Sequence, residues 1–450
     1  MMKSKIEPLI ESVKANFWFV PTLMVLGTMV MTAVTIWIDT FRFSALKEYL
    51  PLMYSTDVSA IRTLLSTIAA SMITVTSIAF SITIVALTLA SSQFGPRLMR
   101  NFMKDKTTQI ILGMFVSNFL YCILVFFAIS LAPPYEFKPG ITVVWAISMT
   151  CISIGYLIHF IHHVSVSIQA DTVIQDVYCE LKQIINKLFP HDAMHLCKDS
   201  NVCIEELGAD NYQTCTELRA EHSGYVQVID TSKLLEHLCE CDVQLQLFYG
   251  PGDYVIKGGI LGTVFSRKAI LDNKDDQHMM SDIRKHIALG SKRTPVQDPE
   301  FAVGQLVEIA LRALSPGIND PFTAITCIDK LSSALCELSS RQFPSIQWKD
   351  KQECVRLHCK PLLFRDVASA GFDQIRQHAH DNTAVTIRLL EALQSIALRA
   401  NNKEQYQFVY EQINMMIEQQ KPREITSFDA KDINQRIQNV NLYLQRNAGI

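Results

Sequence analysis

A stretch of thirty residues, 63–92, contains no charged side chain, although twelve of its residues are Ser or Thr. At about 100° per residue on a helix, ten of these hydroxyls fall within an arc of roughly 160°. We call them the hydroxyl stripe: Thr63, Ser66, Thr67, Ser71, Thr74, Ser77, Ser81, Thr88, Ser91 and Ser92. Thr76 and Thr83 lie on the opposite side. A long uncharged helix with such a stripe is typical of a membrane helix whose stripe faces protein or water.

Four uncharged segments are long enough to cross a bilayer: residues 17–38, 63–92, 107–135 and 139–170. Each exceeds the about 20 residues that a helix needs to span the hydrocarbon core. The first is too long for the apolar part of a signal peptide and no cleavage site follows it, so we expect it to stay in the protein. Since the segments contain no Asp, Glu, Lys or Arg, they argue against a transporter coupled to protons or ions.

The distribution of Lys and Arg predicts the orientation. Seven lie in the N-terminal tail and the second loop, and four lie in the first and third loops. Because cytoplasmic loops carry the excess of positive charge, we expect both termini in the cytoplasm. Residues 1–163 hold 11 basic and 7 acidic residues (+4), whereas residues 164–450 hold 30 and 37 (−7). An acidic cytoplasmic region argues against nucleic acid as a partner.

The sequence therefore predicts a membrane protein with four transmembrane α-helices, followed by a cytoplasmic α+β region. We expect a cytoplasmic tail at residues 1–16, the transmembrane domain at 17–163, and a linker helix and loop at 164–213. Alternating apolar and polar residues predict a small β-rich module at 214–275. Helical periodicity then predicts a helical cytoplasmic domain at 276–450.

Several phrases of the sequence together resemble one known family. They include SSQFGPR at residues 91–97, FIHH at 160–163, SGYVQ at 223–227 and RALSPGINDPFTA at 312–324. These phrases are similar to the bacterial predicted membrane proteins catalogued as domain of unknown function 2254. Gly95 stands where we expect Ser or Thr from the family's pattern. The resemblance implies a multi-pass protein of the bacterial inner membrane, and it leaves the chemistry open.

The hydroxyl stripe has two interpretations. In the structural one, small hydroxyl residues let membrane helices approach closely and hydrogen-bond across their contact. In the functional one, they line an aqueous pore in a homo-oligomer and replace part of an ion's hydration shell. The length of the stripe favours the pore, because ten hydroxyls exceed what one helix crossing needs. We predict that the pore is lined by Thr63, Thr67, Ser71, Thr74, Ser77, Ser81, Thr88 and Ser92.

Residues near the stripe complete this hypothesis. Arg97 and Arg100 would form a cationic pore mouth, which hints at anions, and Thr28, Thr32 and Thr35 would face the stripe. The preferred function is an oligomeric passive ion channel with a cytoplasmic regulatory or assembly domain. Its partners are then the lipid bilayer, further copies of the chain and a small ion. The alternative is a non-conducting membrane signalling or scaffold protein whose cytoplasmic domain binds a ligand or partner.

Three histidines end the fourth segment, at His159, His162 and His163. Imidazoles one helical turn apart are able to bind zinc or sense pH. Polar residues that end a membrane helix explain the same pattern, so we predict no metal site. The pair Cys239 and Cys241, in a strand-like stretch, has no second pair at zinc spacing.

Arg293, Arg312, Asn319 and Asp320 are candidates for a ligand site at a helix N-terminus. Capping of the helix by Asp320 ahead of Pro321 explains part of the same pattern without a ligand. The sequence contains no nucleophile elbow, phosphate-binding glycine loop or metalloprotease helix. We therefore expect no enzymatic activity and no cofactor.

Overall fold

The computed structural model of the protein describes residues 17–41, 57–95, 102–103, 105–131, 139–190, 214–266, 274–379, 381–420 and 426–448. The chain divides into two compact units, Met1–Thr172 and Val173–Ile450. The predicted cytoplasmic tail, most of the predicted loop before residue 214, and Arg97 and Arg100 lie outside the described residues.

The described residues of the first unit form four long helices: α1 Phe19–Phe41, α2 Val58–Phe94, α3 Lys106–Ile129 and α4 Ile141–Ser167. All four are long and apolar enough to cross a membrane, which confirms the four predicted spans. Helix α1 continues three residues beyond its predicted end and includes Asp39, which is buried. Asp39 is the first residue after the predicted segment 17–38, which itself contains no acidic residue.

Helix α3 is the centre of the first unit. In an apolar 18-residue stretch of each helix, 50% of α3 is buried, compared with 22%, 17% and 22% of α1, α2 and α4. Gly113 explains the close packing of α1, because a Cβ at this position would lie 3.1 Å from Cα of Pro21. The other three helices surround α3 and leave most of their surface facing outward.

The threonines of α1 do not face the hydroxyl stripe. Thr28, Thr32 and Thr35 are buried on the side of α1 that packs on α3 and α4, and Oγ1 of Thr35 lies 3.0 Å from the hydroxyl of Tyr121 in α3. Each threonine hydroxyl also donates to a carbonyl of its own helix, so burial leaves no donor unsatisfied. The prediction that these residues supply a surface for the stripe is wrong.

Helix α5, Ala170–Leu188, leads into the second unit, and its apolar face is buried. The β-rich module follows, with strands at Thr214–Arg219 (β1), Gly224–Ile229 (β2), Val243–Leu247 (β3), Tyr254–Val255 (β4) and Ile260–Ser266 (β5). It also contains helices α6, Thr231–Glu240, and α7, Lys274–Lys285. The strand-like interpretation of the cysteine pair is wrong, because Cys239 lies in α6 and Cys241 directly follows it.

Two sheets form the core of this module. The five-stranded sheet has the order β1-β5-β3-β8-β7, and the three-stranded sheet has the order β4-β2-β6. Strands β6 (Ile287–Gly290), β7 (Gln347–Lys349) and β8 (Val355–His358) come from the region predicted to be helical. They have three or four residues each, which is too short for a recognisable alternation of apolar and polar side chains.

The remaining helices confirm the predicted helical domain. They are α8 (Pro299–Ala313), α9 (Pro321–Leu338), α10 (Phe364–Ala379), α11 (Thr383–Arg399), α12 (Lys403–Gln420) and α13 (Ser427–Ala448). Asp320 caps α9 ahead of Pro321, as predicted, and Asp298 caps α8 ahead of Pro299 in the same way. The long C-terminal helix α13 packs against α11 and α12 of its own chain.

Candidate functional site

The hydroxyl stripe lies on the outward face of α2. The buried face of this helix is formed by Ile61, Leu65, Ala69, Met72, Thr76, Ala79, Ala90 and Phe94. At about 100° per residue, the centre of the stripe is on the opposite side of the helix. All eight predicted pore-lining residues are exposed, and so is Ser66, while Ser91 is half-buried. Among the described residues of the first unit, none covers the stripe.

Eight of the ten stripe hydroxyls donate to a carbonyl of their own helix, and those of Ser81 and Ser91 are the exceptions. Thr67, Ser71, Thr74, Ser77 and Thr88 each donate to the carbonyl oxygen four residues earlier, at 2.8–2.9 Å. A membrane helix tolerates these bonded hydroxyls without a partner from another helix, because their donors are already paired. The outward oxygen atoms keep acceptor capacity, since each hydroxyl oxygen has two lone pairs and one proton.

Two large apolar side chains interrupt the stripe. Ile84 is 63% exposed and Val85 is 57% exposed, between the levels of Ser81 and Thr88. At about 100° per residue, Val85 lies on the same line along the helix as Ser81 and Thr88. The outward face of α2 therefore has one apolar level between two hydroxyl-rich levels.

The structure brings two of the three predicted histidines, His159 and His163, into contact. The rings of His159 and His163 stack with centroids 6.0 Å apart, and Nε2 of His163 lies 2.6 Å from Oδ2 of Asp105. Within the described residues no group of three His, Cys, Asp or Glu side chains is placed to hold a metal ion. The contact of His163 is therefore a polar pair that joins the C-terminal part of α4 to the N-cap of α3.

Asp105 makes several polar contacts at this junction, although no pattern in the sequence singles it out. Its carboxylate accepts hydrogen bonds from the backbone N–H groups of Thr107 and Thr108, so it caps α3 while it binds His163. Burial alone raises the pKa of Asp105, but the hydrogen bonds from Thr108 and His163 outweigh it and lower the pKa below its ordinary value. A charged Asp105 is thus favoured at this junction.

The four candidate ligand residues of the second unit are not gathered at one place. Arg293 lies beside the N-terminal end of α8, whereas Arg312 lies in its last turn. Helix α8 has 15 residues, so about 20 Å separates its two ends. Asn319 is exposed with φ +49°, and it belongs to the turn between α8 and α9.

Asp320 caps α9. Its carboxylate accepts hydrogen bonds from the N–H and the hydroxyl of Thr323, at 3.1 and 2.6 Å. These hydrogen bonds, first that of the Thr323 side chain, lower the pKa of Asp320. The capping interpretation of Asp320 accounts for its contacts without a ligand.

Arg293, which follows β6, forms an ion pair with Asp298, the N-cap residue of α8. Its Nε and Nη2 atoms donate to the two oxygens of Asp298, at 2.7 and 2.8 Å, and Asp298 is 3% exposed. Gly252, in the turn before β4, packs on this pair, because a Cβ there would lie 2.8 Å from Cγ of Asp298. The φ of Gly252 is +98°, a backbone conformation that favours glycine.

Glu300 adds a second carboxylate to this region, and an oxygen of its side chain lies 3.7 Å from Nη2 of Arg293. Burial, and next the negative charge of Asp298, raise the pKa of Glu300. Arg293 is therefore shared between two acids, of which only Asp298 has a close bidentate contact.

The chain is similar in sequence to the proteins of one known family. A family described as predicted membrane proteins of domain of unknown function 2254 matches residues 14–395. The chain belongs to this family. The match covers the four spans and most of the second unit, which confirms the predicted resemblance.

The chain is also similar to proteins of mycobacteria. Two uncharacterised proteins of Mycobacterium tuberculosis strains and one of Mycobacterium bovis are each 31% identical to the chain over 347 residues. The alignments cover 77% of this chain and 65% of each relative, so the chain spans less than two thirds of the length of these relatives. No solved structure matches the chain.

Proposed function

We propose that this family member is an oligomeric passive ion channel whose path is lined by the hydroxyl stripe of α2. The observation that carries the proposal is the outward exposure of all eight predicted lining hydroxyls on a helix able to span the membrane. The oligomer would sit in the bacterial inner membrane with both termini in the cytoplasm. The second unit would then assemble or regulate the channel.

The length of α2 supports a path rather than a single contact. Its 37 residues give about 55 Å of helix, which exceeds the about 30 Å of the hydrocarbon core. Stripe hydroxyls occur from Thr63 to Ser92, so they extend across the whole apolar thickness. Copies of α2 that surround an axis would present neutral oxygens to a permeating ion at nearly every turn.

The competing function is a non-conducting signalling or scaffold protein. One observation favours it: most stripe hydroxyls are already satisfied by their own helix and are small enough for a close contact between two copies of α2. In that arrangement the stripe is dry and the second unit carries the function. Accessibility of the stripe to water in the assembled protein separates the two proposals.

Flux measurements on the full chain test the channel. Purified protein in planar bilayers or liposomes is expected to conduct small ions, and the triple variant Thr74→Leu, Ser77→Leu and Ser81→Leu is expected to lose most of this conductance. The leucines fill the path and remove the oxygens that replace water around an ion. Silent wild-type protein at every voltage, pH and salt composition overturns the proposal.

Ser148→Leu in α4 is the matched control. Ser148 is exposed, and its hydroxyl donates to the carbonyl of Val144 at 2.8 Å, as the stripe hydroxyls do within α2. The control therefore repeats the chemical change on another membrane helix and should leave conductance unchanged. If the triple variant conducts like the wild type, the path does not follow the stripe.

A further inference from the structure

Two phenylalanines are the most exposed large hydrophobic side chains in the described part of the chain. Phe322 is 80% exposed in the first turn of α9, and Phe428 is 83% exposed in the first turn of α13. Both belong to the second unit, which follows the membrane helices. Aromatic side chains with so much exposed surface are typical of an interaction site.

Helices α5 and α9 run parallel to each other. Near their middles, the hydroxyl of Tyr178 in α5 lies 2.9 Å from the hydroxyl of Ser333 in α9. After their C-terminal ends, Arg341 donates to the carbonyl of Phe189 at 3.3 Å. The later residue of each helix region contacts the later residue of the other. The two helices therefore point the same way and begin at the same end of the domain.

Helix α11 shares this direction. Arg388 in its first half forms an ion pair with Asp329 in the first half of α9. At the other end, the hydroxyl of Ser339 donates to the carbonyl of Arg399 at 3.1 Å. The starts of α9 and α11 therefore lie together.

Helix α13 is also parallel to α11. Arg436 pairs with Glu391 of α11 at 3.1 Å. Further along α13, Tyr443 lies near Tyr406, which belongs to the start of α12. The hydroxyl of Tyr406 donates at 2.9 Å to the carbonyl of Ala400, the residue that follows the C-terminal end of α11. Phe428 precedes Arg436, so it lies toward the same end of the domain as Phe322.

The rise of about 1.5 Å per residue in an α-helix places the starts of α5, α9 and α13 at a similar height in the domain. Ala170 lies about 12 Å before Tyr178, and Phe322 lies about 16 Å before Ser333. Phe428 lies about 12 Å before its own contact to α11. Only two residues, 168 and 169, separate α5 from the membrane helix α4. We call this level the entry end, because the chain enters the domain there from a membrane span.

The entry end carries a third apolar side chain on an ordered turn. Ile318 is 50% exposed between α8 and α9. The N–H of Ile318 donates to the carbonyl of Ser315 at 3.0 Å, and the N–H of Asp320 donates to that of Ala313 at 2.7 Å. The turn therefore holds Ile318 in a defined place.

We propose that the entry end of the second unit binds the bilayer surface, with Phe322, Phe428 and Ile318 inserted among the lipid headgroups. Aromatic rings favour the membrane interface, where they bury their apolar part about 5–10 Å deep at the boundary of headgroups and acyl chains. Because only residues 168 and 169 separate α5 from the membrane helix α4, the start of α5 is close enough to the bilayer for this contact. The proposal does not depend on conduction by the stripe.

Tryptophan reporters test the contact in the full chain. Phe322→Trp and Phe428→Trp are reconstituted separately into vesicles of phosphatidylcholine and phosphatidylglycerol, with or without bromine on the acyl chains. The emission of the parent protein is subtracted. Each new tryptophan is expected to lose about half of its emission to the bromine quencher, as a ring near the top of the acyl chains would.

Leu398→Trp is the matched control. Leu398 is 55% exposed near the C-terminal end of α11, away from the entry end, and its reporter should keep its emission in brominated vesicles. Unquenched emission at residues 322 and 428 overturns the proposal. If those reporters are also shielded from aqueous iodide, a protein surface covers them, and this outcome equally excludes the lipid contact.

Discussion

The hydroxyl of Thr142 donates a hydrogen bond to the carboxylate of Asp39 at 2.6 Å, and so joins the end of α1 to the start of α4. The same carboxylate accepts from the N–H groups of Gly140, Ile141 and Thr142, at 2.9–3.0 Å. Asp39 thus caps a helix that is distant in the sequence, and its negative charge faces the positive end of that helix.

Asp39→Asn is expected to destabilise the four-helix unit. The amide keeps one acceptor oxygen and directs its N–H₂ toward donors, so at least one buried N–H loses its partner, at a cost of about 1–3 kcal/mol. Thermal unfolding of the purified protein in detergent should show a lower Tm. Thr40→Val, a change at the exposed neighbouring residue, should leave the Tm within error of the wild type.

Val85→Thr is expected to increase the conductance of the proposed channel. Val85 forms the apolar level between Ser81 and Thr88, and an apolar ring opposes the entry of water into a narrow path. Threonine has nearly the same shape and adds an oxygen. Single-channel current in planar bilayers measures the effect, and an unchanged or smaller current would contradict this role for Val85.

Gly252→Ala is expected to lower the stability of the second unit by about 1–3 kcal/mol, because the new methyl group enters a strained backbone position. It would also press on the ion pair of Asp298 and Arg293. Gly258→Ala is the control, since its φ is also positive (+79°) but nothing lies within 4 Å of its Cβ. Equal losses of Tm in the two variants would show that the ion pair is not disturbed.

Glu300→Gln is expected to raise the Tm near neutral pH. The raised pKa of Glu300 means that the folded protein binds this proton more tightly than the unfolded chain. Its contribution therefore favours folding at low pH and is lost as the pH rises through the folded pKa. The gain from glutamine should shrink below about pH 4.3, the ordinary pKa of Glu. Glu236→Gln, at an exposed position of α6, should show no such pH dependence.

Asp320→Ala separates capping from ligand binding. Loss of the N-cap of α9 should cost about 1 kcal/mol of folding free energy. Conductance of the assembled protein should stay at the wild-type level, since the contacts of Asp320 are those of a cap. A stable variant with altered conductance would instead indicate that Asp320 takes part in regulation.

The sequence predicted the elements whose pattern is long. The four spans, the amphipathic helix α5 and the helices from Pro299 onward follow from apolar runs and 3.6-residue periodicity. Periodicity does not predict whether the stripe faces toward or away from the other helices of its own chain. This depends on which helix lies at the centre of the first unit. Asp39 and Asp105 were missed because their partners, Thr142 and His163, are 103 and 58 residues away.

The hydrogen bonds of the stripe have a consequence for the sign of the charge that the proposed path accepts. Each of the bonded hydroxyls, such as those of Thr74 and Ser77, gives its single proton to the backbone of α2. What remains outward are oxygen lone pairs, which attract a cation and offer an anion no donor. In the proposed channel, this wall would therefore favour potassium or sodium over chloride, against the hint from Arg97 and Arg100 at its mouth.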